Sequence, residues 1–191
     1  MKKRYEIILS GVGGQGLVVG GTILGEAATM FENLNSTLTT SYGVETRGTF
    51  TKSDVIISKD EIFFPEVIEE DLVLALAQVA YNKYAKSLNE NCILVYDCNS
   101  IEPIDDVKAK QYGFPITEAS REVGNLAAAN IISLGIIVKK TGVVSSEAVI
   151  NVLKEKFSER PKVYEVNLRA FNKGLELADK WENKESLKVC L

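Results

Sequence analysis

Histidine is absent from the 191-residue sequence, and cysteine occurs only three times, as Cys92, Cys98 and Cys190. Without histidine the chain lacks the commonest general base at neutral pH, which excludes Ser-His-Asp and Cys-His catalytic systems and histidine-ligated zinc. No Cys-x-x-Cys pair is present, and three thiols are too few for a four-cysteine iron–sulfur site. We expect Cys92 and Cys98 to be small buried side chains around a strand. Any redox cofactor is therefore expected to be organic or to belong to another chain.

The chain also lacks an excess of positive charge and any long apolar run. Its net charge is −4, so it has no basic field that would hold nucleic acid. The apolar runs at 72–77 and 131–138 are far shorter than the roughly 20 residues of a membrane-spanning helix, and the basic start lacks the apolar stretch of a secretory signal. We expect a cytoplasmic protein that binds neither nucleic acid nor membrane, folded as a single domain over residues 1–191, with the last ten or so frayed.

Strand and helix patterns alternate along the chain. Strands are predicted at 4–10, 34–40, 49–58, 72–77 and 92–97. Helices are predicted at 17–31, 78–88, 117–122, 126–140, 145–156 with Ser145 as N-cap, and 167–182. This order is typical of a three-layer α/β fold, with a mostly parallel sheet, helices on both of its faces, and a helical C-terminal third.

A glycine-rich turn follows the first predicted strand and opens the first predicted helix. It matches G-x-G-x-x-G through Gly11, Gly13 and Gly16, with Gly14 and Gln15 between them. Glycine permits positive φ and removes the Cβ that would obstruct an approaching group, and the amides of a helix start attract anions. The turn therefore predicts contact with a phosphate-bearing ligand, and the alternative is a tight turn that serves packing alone.

A standard dinucleotide site needs a second feature that the sequence lacks. An acidic residue at the end of the second strand holds the ribose, about 20 residues after the glycines. The strand predicted at 34–40 contains no acid and ends in Thr39 and Thr40, and Glu32 lies before it. The sequence therefore disfavours a nicotinamide-type dinucleotide.

A second unusual motif, Ser-Tyr-Gly-Val-Glu-Thr-Arg-Gly-Thr, occupies residues 41–49. It lies between two predicted strands and is expected to form a loop, where sites of such sheets are usually built. Arg47 can form a fork of hydrogen bonds to a phosphate or carboxylate. A solvated turn of alternating charge is the alternative.

The two motifs in this order resemble the gamma subunit of the 2-oxoacid:ferredoxin oxidoreductases. Further segments resemble the same family, at 55–62, 71–78 and 167–174, so that the resemblance extends to about Gly174. The motifs are most similar to the 2-oxoglutarate type of the enzyme. The pyruvate, 2-oxoisovalerate and indolepyruvate types carry a similar domain and stay open as alternatives.

The resemblance implies a subunit that does not catalyse alone. In this family thiamine diphosphate attacks the 2-oxo carbon, CO2 leaves, electrons pass through iron–sulfur clusters to ferredoxin, and coenzyme A takes the acyl group. Thiamine diphosphate, Mg and the clusters are implied to belong to partner chains, namely alpha and beta subunits and a ferredoxin-like delta subunit. This chain is implied to bind none of them alone and to complete the coenzyme A side of the site. The residues expected to take part are Gly11, Gly13, Gly14, Gln15, Gly16, Arg47, Tyr42 and Glu45.

Two other classes of function stay open. A stand-alone nucleotide-binding dehydrogenase would need the missing acid and an independent proton-transfer group. A scaffold domain would use the glycine loop for packing alone. Dependence on partners predicts an exposed apolar surface, through which the isolated chain would self-associate. Asp97, at the end of a predicted strand, is expected either to face the site or to cap the following turn.

Overall fold

The structure, a computed structural model, describes residues 2–42 and 49–182, with the backbone alone at Tyr42, Trp181 and Glu182. Six strands form one sheet in this part of the chain. They are β1 (Arg4–Val12), β2 (Asn35–Tyr42), β3 (Phe50–Ser58), β4 (Leu72–Ala75), β5 (Ile93–Asp97) and β6 (Lys110–Phe114). Their order across the sheet is β2-β3-β1-β4-β5-β6.

The sheet is mixed, with one strand running against the others. The pairs β1–β4, β4–β5 and β5–β6 are parallel, whereas β3 is antiparallel to both β1 and β2. Five strands therefore share a direction, and the predicted mostly parallel sheet is confirmed. Because β3 lies between β2 and β1, the second strand along the chain is not a neighbour of the first. The carboxyl ends of β1 and β2 and the start of β3 meet at one edge of the sheet.

Helices cover both faces of the sheet. They are α1 (Leu17–Glu26), followed by a π-helical turn (Ala27–Phe31), α2 (Gln78–Tyr84), α3 (Ile116–Glu122), a 3₁₀ turn (Leu126–Ala128), α4 (Ala129–Thr141), α5 (Ser146–Lys156) and α6 (Pro161–Glu182). From Ile116 to Glu182 the regular elements are all helical, which confirms the predicted helical C-terminal third.

The alternating side chains of the central strands divide between two apolar cores. Ile7 and Leu9 of β1 enter the larger core, which α1 and α3 to α6 cover. Ile8 faces the opposite side and joins a smaller core under α2, with Tyr81 and Tyr84. Because both faces of β4 are buried, Leu72–Ala75 is apolar throughout, as parallel strands in three-layer proteins usually are, whereas β1 carries the buried polar residues Glu6 and Ser10 on the side of Ile8.

Helices α4 and α6 cross at two glycines. A Cβ placed on Gly174 would lie 2.0 Å from the carbonyl oxygen of Ile132, and one on Gly135 would lie 2.3 Å from that of Phe171. Asn167, Ala170, Phe171 and Ala178 are buried on the same face of α6. The two backbones therefore approach more closely than any side chain at these positions would permit.

The elements differ from the sequence predictions at a few places. β6 was not predicted, because Lys-Gln-Tyr-Gly-Phe lacks an apolar alternation, and its strand character depends on pairing with β5. α6 begins at Pro161 rather than at residue 167, with proline in the first turn, where its missing N–H is not needed. Ser145 caps α5 as predicted, since its hydroxyl accepts from the amide of Ala148 at 3.1 Å. The predicted frayed end lies outside the described residues.

Candidate functional site

The glycine loop joins β1 to α1 at the carboxyl edge of the sheet. The amide of Gly13 donates to the carbonyl of Thr49 at 3.3 Å, and Val12 is paired with Phe50 in the ladder between β1 and β3. The two sequence motifs, about 25 residues apart in the chain, therefore flank one place in the fold. Tyr42 ends β2, and its backbone is in register with Thr51. Glu45 and Arg47 lie outside the described residues.

Gln15 uses its side chain inside the loop. Its Oε1 accepts from the amide of Val12 at 2.8 Å, and its Nε2 donates to the carbonyl of Leu76 at 2.9 Å. A Cβ on Gly11 would lie 2.1 Å from the same Oε1, so the folded position of Gln15 requires glycine at position 11. The side chain of Gln15 therefore connects the glycine loop to the residue after β4, and Gly11 leaves the space that this side chain needs. Both polar atoms of the Gln15 side chain already have a hydrogen-bond partner within the fold.

Gly16 is held by a residue far away in the sequence. Its φ is +71° at the N-cap of α1, and a Cβ there would lie 2.5 Å from Nδ2 of Asn130. This Nδ2 donates to the carbonyl of Gly16 at 3.0 Å, and Asn130 is buried. Gly16 therefore meets a conformational and a steric requirement that other residues meet poorly.

Gly13 and Gly14 form the exposed part of the loop. Gly14 has a φ of +96°, and no atom of the described residues lies within 4 Å of the place where its Cβ would be. The space outside Gly14 is open to a ligand. Of the five predicted loop residues, these two present their backbone outward, whereas the other three shape the loop.

The start of α1 presents backbone amides next to a small cavity. A helix leaves the amides of its first turn without intrahelical partners, and Gly16 has no side chain to accept from them. A cavity of about 240 Å³ lies beside these amides. Its lining residues are Val12, Gly13, Gly14, Gln15, Gly16, Leu17, Val18, Val19, Thr51, Lys52 and Ser53. The helix dipole and the amides of the first turn favour an anion here.

Two side chains of β3 at this cavity add polar groups that the sequence did not reveal. Ser53 is fully buried, and its Oγ has no hydrogen-bond partner among residues 2–42 and 49–182. Lys52 lies 2.5 Å from the carboxylate of Asp54, so that its charge is largely balanced. Neither residue belongs to a recognisable motif, and Asn130 is 114 positions from Gly16. No local sequence pattern indicated Lys52, Ser53 or Asn130, because their role depends on the pairing of distant segments.

Asp97 was expected either to face the site or to cap the following turn, and in the structure it caps the turn after β5. It is 2% exposed, and its carboxylate accepts from the amides of Ile116 and Thr117 at 3.0 and 3.2 Å. The hydroxyl of Ser100 also donates to it at 2.7 Å. This carboxylate is therefore occupied by donors of the fold itself, as is typical of Asp at turns.

Cys92 is buried, as expected, whereas Cys98, expected to be buried as well, is half-buried directly after β5. Burial, with smaller contributions from the charges of Glu70 and Asp71, raises the pKa of the Cys92 thiol to about 12. Metal ligation and nucleophilic attack require a thiolate, which this environment opposes. Cys92 is therefore suited to packing.

Replacing Gln15 tests the construction of the loop. In Gln15→Ala, the amide of Val12 and the carbonyl of Leu76 lose their partners, so we expect the free energy of unfolding to fall by about 1–3 kcal/mol. Urea denaturation of the purified chain measures this loss. Val18→Ala, a change of a half-buried side chain in the first turn of α1, is the comparison and should cost less. A Gln15→Ala variant as stable as the wild type would show that the loop does not depend on these two hydrogen bonds.

The fold and the loop together define a class of protein. It is an α/β domain on a mixed sheet, with an anion-attracting strand–loop–helix junction at the carboxyl edge and a cavity too small for a whole nucleotide cofactor. Within the described residues, no group of three His, Cys, Asp or Glu side chains is placed to hold a metal ion, and no helix is long and apolar enough to cross a membrane.

Known proteins share both this fold and this sequence. Residues 6–177 match the family model described as pyruvate ferredoxin/flavodoxin oxidoreductase. The chain belongs to this family. A 2-oxoglutarate synthase subunit KorC of Methanocaldococcus jannaschii is 39% identical over 93% of this chain and 96% of its own length.

Solved structures agree with the sequence comparison. The gamma subunit of a keto/oxoacid ferredoxin oxidoreductase from Geobacter sulfurreducens has a TM-score of 0.84 and 36% identity, covering 94% of this chain and 98% of its own. The 2-oxoglutarate:ferredoxin oxidoreductase of Magnetococcus marinus, solved with 2-oxoglutarate, coenzyme A and succinyl-CoA bound, shares the fold, with a TM-score of 0.86 and 23% identity over 94% of this chain and 32% of its own. The predicted resemblance to a gamma subunit of the 2-oxoacid:ferredoxin oxidoreductases is confirmed.

Proposed function

We propose that this chain is the gamma subunit of a 2-oxoglutarate:ferredoxin oxidoreductase and that its glycine loop binds a phosphate group of coenzyme A. The enzyme would convert 2-oxoglutarate, coenzyme A and oxidised ferredoxin to succinyl-CoA, CO2 and reduced ferredoxin. The relative from Methanocaldococcus jannaschii, which carries the name of a 2-oxoglutarate synthase subunit, supports this substrate over pyruvate, 2-oxoisovalerate and indolepyruvate.

The observation that carries the proposed binding site is the cavity at the start of α1. The first-turn amides of α1 and the exposed backbone of Gly14 lie beside it, and the buried Ser53 is among its lining residues. Together they present hydrogen-bond donors to an anion that the helix dipole already attracts. A phosphate is the group of coenzyme A that needs such donors.

The size of the cavity supports a shared site. Pockets for drug-sized ligands occupy about 300–1,000 Å³, whereas this cavity measures about 240 Å³. It accommodates one end of a long ligand, and the rest would lie against other subunits. The chain's own residues would bind and orient coenzyme A, so that its thiol reaches a reaction centre on a partner chain.

The remaining chemistry belongs to partner chains in this proposal. Thiamine diphosphate, held by another subunit, would supply the chemistry that releases CO2, and clusters on other subunits would carry the electrons. In the described residues the buried Cys92, with its raised thiol pKa, does not fit a cluster ligand. The proposed partners are alpha and beta subunits and a ferredoxin-like delta subunit.

Affinity purification of the tagged chain from its own cells tests the proposed function. We expect thiamine- and cluster-bearing chains to co-purify and the eluate to reduce a viologen dye only when both 2-oxoglutarate and coenzyme A are present. Pyruvate, 2-oxoisovalerate and indolepyruvate are assayed in parallel as alternative substrates. A chain that elutes alone and inactive from cells that express it normally would contradict the assignment.

The dinucleotide-binding alternative finds no support in the sheet. In a dinucleotide site the strand that carries the ribose-binding acid lies next to β1. Here β3 separates β2 from β1, and β2 ends without an acid. A tight complex of the isolated chain with a nicotinamide dinucleotide would reverse this conclusion.

A further inference from the structure

The segment between β3 and β4, residues 59–71, combines exposed aromatic side chains with a high negative charge. We refer to it as the acidic loop. Phe63 is 88% exposed, Ile68 is 72% exposed and Phe64 is 51% exposed. Clustered large apolar side chains on a surface mark sites of interaction. The loop lies at the amino ends of β1 and β4, at the edge of the sheet opposite the glycine loop.

The backbone of the acidic loop is held in place by two residues of β1. Arg4 Nη2 donates to the carbonyls of Phe64 and Glu66 at 3.0 and 2.9 Å. Oε2 of the buried Glu6 accepts from the amides of Ile68 and Glu69 at 2.6 and 2.8 Å. The loop is therefore fixed while its apolar side chains stay uncovered. A preorganised loop loses less conformational entropy when it binds.

The net charge of the chain is concentrated in this segment. Residues 59–71 contain six acidic residues and one lysine, whereas the whole chain has a net charge of −4. The rest of the chain is therefore close to neutral. Asp71 pairs with Lys2 at 2.7 Å, and the other five carboxylates are Asp60, Glu61, Glu66, Glu69 and Glu70. A complementary surface would carry lysine and arginine around an apolar centre.

A cleft with a mostly polar lining lies beside Phe63. The cleft measures about 380 Å³ and is lined by Thr29, Asn35, Ser36, Thr37, Glu61, Ile62 and Phe63. Oγ1 of Thr37 is buried and has no hydrogen-bond partner within the described part of the chain. A cleft of this size next to an exposed aromatic side chain provides room for a side chain of another protein.

We infer that the acidic loop and the cleft beside Phe63 dock onto another subunit of the same oxidoreductase. The surface on that subunit presents an apolar pocket for Phe63 and Phe64 within a basic rim. A second copy of this chain is a poor occupant, because two loops of the same charge would repel each other. A membrane is also a poor occupant, since anionic lipids repel carboxylates. The inference rests on the proposed function, because it assumes the partner chains.

Substitutions in the acidic loop test the inference in the assembled enzyme. The double variant Phe63→Ser/Phe64→Ser removes the apolar centre, and Glu66→Lys/Glu69→Lys reverses two charges of the rim. The matched controls are Val163→Ser on α6 and Glu155→Lys/Glu159→Lys at the end of α5. Each tagged chain is purified from its own cells at equal expression, and the recovered thiamine- and cluster-bearing chains are quantified.

We expect each loop variant to lower the recovery of partner chains at least tenfold, because exposed aromatic anchors dominate the free energy of such interfaces. The controls should assemble as the wild type does. Thermal unfolding of the isolated variants should be unchanged, since the altered side chains are exposed. Raising the salt concentration should weaken assembly of the wild type and have less effect on Glu66→Lys/Glu69→Lys.

Three results would overturn the inference. Loop variants that assemble normally, with full 2-oxoglutarate-dependent activity, would exclude docking at this surface while the proposed function stands. Dimerisation of the isolated chain that Phe63→Ser/Phe64→Ser abolishes would assign the surface to a second copy. Binding to phosphatidylcholine or phosphatidylserine vesicles would assign it to a membrane. A wild-type chain that recovers no partner chains would instead contradict the proposed function itself.

Discussion

Gly174→Ala is expected to lower the free energy of unfolding by about 3 kcal/mol, the upper part of the usual range for an overpacked interior. The new Cβ would lie 2.0 Å from the carbonyl oxygen of Ile132 and 3.0 Å from the Cα of Gly135. Both obstructing atoms belong to backbone and cannot rotate away. Helices α4 and α6 must therefore separate, which disturbs the packing of the larger core around Ala170 and Phe171. Urea denaturation of the isolated chain measures the change.

Gly20→Ala in α1 is the matched control for this prediction. It is also a buried helical glycine, but its Cβ would meet nothing closer than Cδ1 of Leu9, at 3.6 Å. Alanine is favoured over glycine inside a helix by up to about 1 kcal/mol, so Gly20→Ala should be neutral or stabilising. If both variants change stability alike, the crossing of α4 and α6 is looser than the structure indicates.

In the assembled enzyme, the KM for coenzyme A is expected to be at least ten times higher in the Gly14→Asp variant than in the Gly14→Asn variant. Asp and Asn have the same size and both tolerate a positive φ better than other side chains, so the strain at φ +96° is shared. The difference between the two variants is therefore charge. Two like charges about 4 Å apart repel by roughly 1–4 kcal/mol in polar surroundings, and about 1.4 kcal/mol is a factor of ten.

Two further measurements decide whether the loss at Gly14 comes from a phosphate. The KM for 2-oxoglutarate should be the same in Gly14→Asp and Gly14→Asn, because its site lies elsewhere in the proposal. Higher ionic strength should reduce the difference in KM for coenzyme A, since salt screens exposed charges. Equal values of this KM in the two variants at low salt would exclude an anion at the glycine loop.

Local sequence was sufficient to place most of the elements. The apolar strand before Gly11, the periodic helix after Gly16 and the cap at Ser145 all act within a few residues, and each was predicted correctly. The position of β3 was not predicted. Only seven residues lie between β2 and β3, which is too few for the crossover that parallel neighbours need. That spacing would have indicated the hairpin.

The two motifs at the candidate site were recognised from the sequence, and their role in binding stays a prediction. The glycine loop and the second motif were recognised separately, and the hydrogen bond from Gly13 to Thr49 shows that they meet. The roles within the loop were not predictable, because Gln15 looks like a polar side chain available to a ligand. Its amide instead binds Val12 and Leu76, and Leu76 follows a strand that the sequence does not connect to the loop.

The sequence by itself determined the alternation of strands and helices, the backbone freedom of the glycine loop and the family resemblance, since each depends on residues that are close together in the chain. Tertiary structure alone decided that β3 separates β1 from β2, that Asn130 holds Gly16, and that Ser53 lines the cavity. It also decided that Arg4 and Glu6 fix the acidic loop. These outcomes arise from hydrogen bonds and packing between segments far apart in the chain, whose geometry exists only once the sheet has formed.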